Sequence, residues 1–250
     1  MIIHVSKGRP KLERGRWFIH GPGKVGKSTC ASGWPGHLFL PTEHRIEHIP
    51  DVHYLPVNES WLQFKEQVKW LDSPRQKREY QTIVVDVIDH LWTYSTAHTC
   101  KRLGIDHQSD SGYGKGWDAV DKEFKDTFYR LLSYPYGLVI VSHTTMKEVT
   151  TLSGSYMKRV STLPDRARKI IIPHMGVIGY IDFDTFIVNE GGKKKAVPGR
   201  SITFQGDEYI EAGDGEGLLP KKLRLYKDAR KTYEMIKSYY TGARKARDKN

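Results

Sequence analysis

The sequence has few of the features that mark secreted and membrane proteins. Its 250 residues include only two cysteines, Cys30 and Cys100, too few for a disulfide framework or a zinc finger. No apolar run approaches the ~20 residues of a membrane-spanning helix. Residues 1–16 carry no apolar segment of the kind found in secretory signal peptides. We therefore expect a protein of a reducing cytoplasm that has no membrane partner.

Acidic residues are also fewer than basic residues. The chain has 40 Lys and Arg against 29 Asp and Glu, a formal net charge of +11. A basic protein often binds a polyanion, so nucleic acid is the first partner to consider. The alternative is a basic surface that only maintains solubility. Six Trp and fourteen Tyr argue against wholesale disorder, and the length suffices for one large α/β domain.

One specific motif stands out against this background. Residues 21–29 read GPGKVGKST, which matches the phosphate-binding loop of P-loop NTPases, G-x-x-x-x-G-K-S/T. Glycines let backbone N–H groups converge on a phosphate, Lys27 reaches the β- and γ-phosphates, and the Ser28 hydroxyl ligates Mg²⁺. A predicted strand precedes the loop and a short helix follows it, as the motif requires. The predicted ATP-binding residues are Gly21, Pro22, Gly23, Lys24, Val25, Gly26, Lys27, Ser28 and Thr29.

Polar residues also follow or end three apolar segments downstream. Glu43 follows the segment 37–40, Asp86 ends the segment 82–86, and His143 ends the segment 138–143. Strands that alternate with helices predict a parallel α/β sheet, whose functional site lies where the strands end. Asp86 is predicted to hold Mg²⁺ together with Ser28. Asp89 is expected to cap the segment that follows, with a position supporting the Mg²⁺ ligands as the alternative.

The second half of the chain has a different pattern. Residues 147–159 alternate around a Ser-Gly-Ser turn like a hairpin or mobile loop, and the strands after residue 177 predict an antiparallel extension of the sheet. Amphipathic helices are predicted at 59–72 and 115–133, a polar surface loop at 98–116, and a final basic helix at 221–240. We expect three regions: a basic N-terminal arm (1–15), a single ATPase domain (16–240) and a basic flexible tail (241–250).

Several classes of P-loop protein can be tested by their own motifs. The chain lacks the N-K-x-D motif with which GTPases read their base. Residues 152–155 are similar to part of an ABC-transporter signature but follow the Mg²⁺-binding strand instead of preceding it. Nucleotide kinases close an arginine-rich lid over a second nucleotide, and Arg159, Arg166 and Arg168 match such a lid only weakly. A kinase of nucleotides or small molecules stays open as an alternative.

The segment 38–44, LFLPTEH, resembles the RecA-like ATPases, in which the strand after the phosphate loop ends in a Glu. The resemblance implies that Glu43 polarises the attacking water and that His143 senses the γ-phosphate. More specifically, about residues 14–225 are similar to phage-encoded RecA-like proteins, including the Sak-type single-strand-annealing ATPases. Besides the loop, the motifs are Thr42-Glu43-His44, Val85-Asp86, Gly112-Tyr113-Gly114-Lys115-Gly116-Trp117, Val141-Ser142-His143 and Glu211-Ala212-Gly213…Leu219-Pro220.

This resemblance implies a fold and two basic surfaces. The fold is a RecA-like α/β core with antiparallel strands added in its C-terminal part. Basic residues in loops beyond the sheet would bind single-stranded DNA, with a solvated basic face as the alternative. Other basic residues would reach a neighbouring subunit's γ-phosphate in a ring or filament of identical chains. The DNA-binding set is Lys147, Lys158, Arg159, Arg166 and Lys169, and the inter-subunit set is Lys194, Lys195 and Arg200.

Two departures from the family pattern concern the subgroup. An Arg is expected shortly after Gly213, where this chain has Asp214-Gly215-Glu216. A second Asp expected before the strand at Val177 is also missing.

The function implied is Mg²⁺-dependent ATP hydrolysis coupled to single-stranded DNA binding in phage recombination or replication. A single-strand-binding protein would be a further partner, and the cytoplasm of a bacterial host the location. The other alternative is a P-loop motor or remodelling subunit that acts on a protein partner.

Overall fold

The computed structural model describes residues 11–152 and 154–244. Its strands are Arg16–Gly21 (β1), His37–Pro41 (β2), Thr82–Asp86 (β3), Gly137–Thr151 (β4), Gly154–Ser161 (β5), Val177–Glu190 (β6), Lys193–Thr203 (β7), Gly213–Asp214 (β8) and Lys222–Arg224 (β9). Its α-helices are Lys27–Ala31 (α1), Trp61–Trp70 (α2), Pro74–Glu79 (α3), Ile88–Leu103 (α4), Lys115–Ser133 (α5), Asp165–Ile171 (α6) and Ala229–Tyr240 (α7).

A mixed sheet forms the centre of the molecule, with the strand order β2-β3-β4-β1-β6-β7-β9. Neighbours from β2 to β6 are parallel, whereas β7, β8 and β9 pair antiparallel with their neighbours. β5 pairs antiparallel with the outer part of β4. The predicted fold class is confirmed, and the architecture is that of a P-loop NTPase. Because β1 lies between β4 and β6, the loop after β1 opens at the middle of the sheet edge.

Helices cover both faces of the sheet, as the near-continuous apolar strands require. Successive residues of β1 show this arrangement. Trp17 packs into the core shared with α1 and α7, and Phe18 into the core shared with α2, α4, α5 and α6. On the first face, Trp34 lies between Trp17 and Tyr233 at ring-centroid distances of 5.3 and 5.5 Å. Among the described helices, none is long and apolar enough to cross a membrane.

The ordered domain begins earlier than residue 16. Leu12 is buried in a short 3-10 helix, and the Glu13 carboxylate accepts a hydrogen bond from the Tyr233 hydroxyl at 2.6 Å. The apolar residues of segment 1–15 follow no regular spacing, so the sequence did not indicate that Leu12 and Glu13 pack on the domain. Residues 1–10 of that arm, and residues 245–250 of the predicted tail, lie outside the described part of the chain.

Two other boundaries differ from the predictions. The predicted helix at 221–240 begins only at Ala229, because Asp228 caps it through the Lys231 N–H at 3.1 Å. The residues before it form β9, which pairs with the end of β7. The predicted loop at 98–116 is helical up to Leu103, where Gly104 ends α4 in the left-handed conformation at φ 67°. The predicted helix at 59–72 is confirmed as α2.

A buried histidine makes the fold sensitive to acid. His20 is fully buried; its Nδ1 lies 2.8 Å from the Thr144 hydroxyl and its Nε2 2.6 Å from the Glu211 carbonyl. The carbonyl can only accept, so Nε2 carries the proton and Nδ1 accepts from the hydroxyl. Burial lowers the pKa of His20 below its usual value. The ring is therefore neutral in the folded protein.

Stability should fall as the pH drops below about 6.5, because the unfolded chain then takes up a proton at His20 that the folded chain refuses. The slope from this one residue is at most about 1.4 kcal/mol per pH unit. Urea unfolding between about pH 7 and pH 5 measures it. His20→Gln, whose amide does not titrate, should lose less stability over this range than the natural chain. Parallel losses in the two proteins would contradict the assignment.

Candidate nucleotide-binding site

The phosphate loop joins β1 to α1 and depends on glycine at two positions. At Gly21, a Cβ would overlap the Ile181 carbonyl of the neighbouring β6. Gly26 has a φ of 91°, and a Cβ there would overlap the Arg200 guanidinium. Lys24, with φ 61°, is a second left-handed residue of the same turn. The chain thus curls tightly between the end of β1 and Lys27, the first residue of α1.

The Lys27 ammonium points back into this loop. Its Nζ donates to the carbonyl oxygens of Gly21 at 2.9 Å and Pro22 at 2.8 Å, and it lies 3.4 Å from the His143 Nδ1. Burial lowers the pKa of Lys27, and the nearby carboxylates of Asp86 and Glu43 act in the opposite direction. The ammonium therefore lies where an incoming phosphate can replace neutral carbonyl partners by anionic ones.

Ser28 and Asp86 form the pair that can hold Mg²⁺. Asp86, at the end of β3, is 6 % exposed; burial raises its pKa to about 6, and a hydrogen bond from the Ser28 hydroxyl opposes this. Among the described residues, its Oδ1 is buried and has no hydrogen-bond partner. A buried carboxylate oxygen of this kind, beside a hydroxyl, fits a divalent cation.

The donor set also fits the chemistry of Mg²⁺. Within the described ranges, no group of three or more His, Cys, Asp or Glu could hold a metal by itself. Mg²⁺ does not need such a group, because it takes one or two protein oxygens and completes its shell with water and substrate phosphates. The site thus requires a bound nucleotide to complete the shell.

Glu43 and His143 lie close together beside Lys27. The His143 Nε2 is 3.2 Å from the Glu43 Oε1, and both side chains are about one-third exposed. Because Lys27 can only donate to Nδ1, the proton of a neutral His143 is on Nε2 and points to Glu43. This hydrogen bond is the main cause that lowers the pKa of Glu43. Glu43 is therefore ionised at neutral pH and accepts hydrogen bonds.

Asp89 has a different role from the one expected. Instead of capping α4, its carboxylate accepts hydrogen bonds from the Ser142 hydroxyl at 2.9 Å and from the His143 N–H at 3.1 Å. The Thr162 hydroxyl also donates to it. Asp89 thus holds the middle of β4, including the backbone of His143, against the start of α4. A parallel sheet brings these segments together, although they are more than fifty residues apart.

These residues surround a cavity of about 410 Å³ at the carboxyl edge of the sheet. Four basic side chains line it against the two carboxylates of Glu43 and Asp86, which suits a polyphosphate. Sequence reasoning missed part of the lining. A 3-10 helix after Glu43 and the residue that follows it contribute four residues that belong to no recognised motif: Arg45, Ile46, His48 and Ile49.

Comparison with known proteins agrees with this geometry. Residues 14–215 match a family described as an AAA domain. The chain belongs to this AAA domain family. The protein is thus a nucleotide-binding protein of the P-loop ATPase class.

One curated protein is similar to part of this AAA domain. It is an uncharacterized protein derived from the SPbeta prophage of Bacillus subtilis (strain 168), named YorG. The two are 29 % identical over 142 residues, which is 56 % of this chain and 43 % of the relative. The chain thus spans less than half the length of the relative that it matches.

Two residues predicted to bind DNA are neutralised within the AAA domain. The Lys147 ammonium contacts both carboxylate oxygens of Asp165 at 2.6 and 2.7 Å. Arg166 donates to Asp121 at 2.7 Å, and its guanidinium lies 5.1 Å from the Trp117 ring. Among the described residues, Lys158, Arg159 and Lys169 form no ion pair, so they retain free positive charge.

The three residues predicted to act between subunits do not lie together. Lys194 and Lys195 are exposed near the outer end of the β6–β7 hairpin, where Lys195 lies 3.4 Å from Glu190. Arg200 instead lines the nucleotide cavity of its own chain. Basic composition does not show how far along a hairpin each residue lies. The prediction therefore grouped these three residues by their charge alone.

Proposed function

We propose that this AAA domain protein is a RecA-like, Mg²⁺-dependent ATPase that binds single-stranded DNA in phage recombination or replication. The observation that carries the proposal is the group formed by Lys27 at the start of α1, Glu43 just after β2 and His143 within β4. Glu43 comes from the second strand, as the resemblance to RecA-like ATPases requires. The prophage relative makes a phage context a natural setting.

The residues divide the work of hydrolysis in this proposal. Lys27 moves from the loop carbonyls to the β- and γ-phosphates and stabilises the charge that develops there. Glu43 accepts a hydrogen bond from the attacking water and orients it towards the γ-phosphorus. The lowered pKa of Glu43 suits a group that orients the water better than one that takes up its proton as a general base. Ser28 and Asp86 would hold Mg²⁺, which would neutralise phosphate charge when bound.

His143 supports the link from ATP to a DNA-binding surface. It contacts both Lys27 and Glu43, so its position depends on what occupies the γ-phosphate site. From His143, β4 continues to Thr151 and pairs with β5 as a hairpin. A shift at the nucleotide is thereby passed along the backbone to the hairpin surface.

The hairpin offers chemistry that suits single-stranded DNA. Lys158 lies directly opposite Lys147, whose charge Asp165 already balances. Tyr156 packs edge-on against Tyr209 at 5.9 Å, and the Tyr209 ring is half exposed. Positive charge beside an exposed aromatic ring, here that of Tyr209, is typical of surfaces that bind a single strand through phosphates and stacked bases.

Lys158→Ala should weaken ATP-dependent binding of a labelled single-stranded oligonucleotide about severalfold and lower the slope of log K against log salt by about 0.7. The reason is the loss of one phosphate contact. Fluorescence anisotropy at several salt concentrations measures both quantities. Lys69→Ala is the matched control, since it removes an exposed lysine of α2 without an ion pair among the described residues. Absent or salt-insensitive DNA binding by the natural protein would overturn this part of the proposal.

A protein partner is the second candidate, and exposed apolar side chains of the same hairpin favour it. Met146 and Met157 are nearly half exposed, and Leu152 at the tip is fully exposed. A rate of ATP turnover that rises when a protein partner is added, but does not change when DNA is added, would favour a motor or remodelling subunit. The kinase alternative has less support, because Arg166 and Arg168 are held in ion pairs with Asp121 and Glu211.

Assembly and location complete the proposal. We infer a ring or filament of identical chains, with Lys194 and Lys195 on the exposed hairpin able to reach a neighbouring subunit. A single-strand-binding protein is a suitable partner for a protein of this function, and the cytoplasm of a bacterial host is the matching location. Light scattering with and without an ATP analogue and an oligonucleotide tests the assembly.

A further inference from the structure

Arg200 reaches the phosphate loop from two strands away. It lies on β7, opposite Phe183 of β6, and its carbonyl accepts a hydrogen bond from the Leu225 N–H at 2.8 Å. Its backbone is therefore held from both sides. The Nη1 donates to the Val25 carbonyl at 3.2 Å, and the guanidinium fills the space where a side chain at Gly26 would be. The group thus lies across the loop of its own chain.

The guanidinium also has capacity left for an anion. Among the described residues it makes no ion pair, and its hydrogen-bond partner is the neutral Val25 carbonyl. A guanidinium carries five N–H donors in a planar fork that matches two phosphate oxygens. It lines the same cavity as Lys27, Ser28 and Asp86. A free guanidinium beside the phosphate loop is the arrangement that recognises a phosphate.

We infer that Arg200 binds the phosphates of the nucleotide held by its own chain, and does not act on a neighbour. This inference rests on the proposed ATP binding and deepens it. Each subunit would then supply Lys27 and Arg200 to its own nucleotide. Contacts from a neighbour would be left to residues outside the cavity, such as Lys194 and Lys195.

The first test measures binding of a fluorescent ATP analogue to dilute protein. Arg200→Ala should bind about tenfold or more weakly, because a charge-assisted hydrogen bond is lost. Arg200→Lys keeps the charge but not the planar fork of donors, so its affinity for the analogue should lie between those of the natural chain and Arg200→Ala. Lys193→Ala is the matched control, an exposed cation of the same strand that lies outside the cavity; it should bind like the natural chain. Circular dichroism checks that each variant is folded.

The second test separates action within one chain from action between chains. Lys27→Ala and Arg200→Ala proteins are mixed at high concentration, and binding of the same analogue is followed. If Arg200 acts on its own chain, no subunit of the mixture has a complete site, and binding equals the sum of the separate variants. If it acts on a neighbour, a Lys27→Ala subunit would supply Arg200 to an Arg200→Ala subunit, and binding would recover.

The outcomes separate this inference from the proposed function. Natural affinity in Arg200→Ala, or recovery in the mixture, overturns the inference and leaves the proposed ATPase intact. Nucleotide binding that depends on Arg200 without any release of phosphate supports the inference and overturns the proposed hydrolysis. A natural chain that binds no nucleotide overturns both.

Discussion

Lys27→Ala is expected to reduce ATP affinity by about 100-fold or more and to remove turnover. The buried ammonium is the cation placed to contact two phosphate groups, and each charge-assisted contact contributes about 1.5–3 kcal/mol. It also lies 3.4 Å from His143, so its loss removes one partner of that ring. Titration with a fluorescent ATP analogue measures the affinity, and a phosphate-release assay measures the turnover.

Lys24→Ala is the matched control for this change. Lys24 belongs to the same loop and lines the cavity, but its side chain is exposed and in the described structure bonds to neither Gly21 nor Pro22. Its removal should cost only a small part of the affinity, since exposed charges contribute little. Equal losses in the two variants would mean that the loop needs positive charge in general and not the buried ammonium.

Glu43→Gln should lower the rate of ATP hydrolysis by about 10²–10³-fold and change ATP affinity by less than about threefold. The amide keeps the size of the side chain and can still contact His143. Its neutral oxygen, however, accepts a hydrogen bond from the attacking water more weakly than a carboxylate oxygen does. The variant should therefore hold ATP without cleaving it. Single-turnover kinetics with labelled ATP separate binding from cleavage.

Glu47→Gln provides the comparison, because Glu47 is an exposed carboxylate of the 3-10 helix next to Glu43 and lies outside the cavity lining. It should hydrolyse ATP at the natural rate. A Glu43→Gln protein that also hydrolyses at the natural rate would exclude Glu43 as the group that orients the water. A large loss of ATP affinity would instead assign it to binding.

The central part of this site could be predicted from local sequence. The phosphate loop is contiguous, and Glu43, Asp86 and His143 each follow an apolar segment that reads as a strand. Parallel pairing brings such segment ends to one edge, and the register places Gly21 beside His143 and Pro41 beside Asp86. No long-range information beyond strand direction was needed.

Other features depend on contacts that no local pattern encodes. The position of Arg200 follows from the register of the β6–β7 hairpin and from its pairing with the chain at Leu225. The charge of Lys147 and Arg166 is balanced because α5 and α6 bring carboxylates to them. Basic composition cannot distinguish these ion-paired cations from Lys158, which forms no ion pair among the described residues.

The two long hairpins differ in mechanical character. From Leu138 to Thr151, β4 contains no glycine or proline, so its outer part should resist bending, and Asp89 holds the strand at His143. β7 contains Pro198-Gly199 immediately before Arg200, and such residues weaken a strand and allow it to bend. A displacement at the tip of the β4–β5 hairpin should therefore be transmitted to His143. A displacement at the tip of the β6–β7 hairpin should instead be taken up by bending at Pro198-Gly199 before it reaches Arg200.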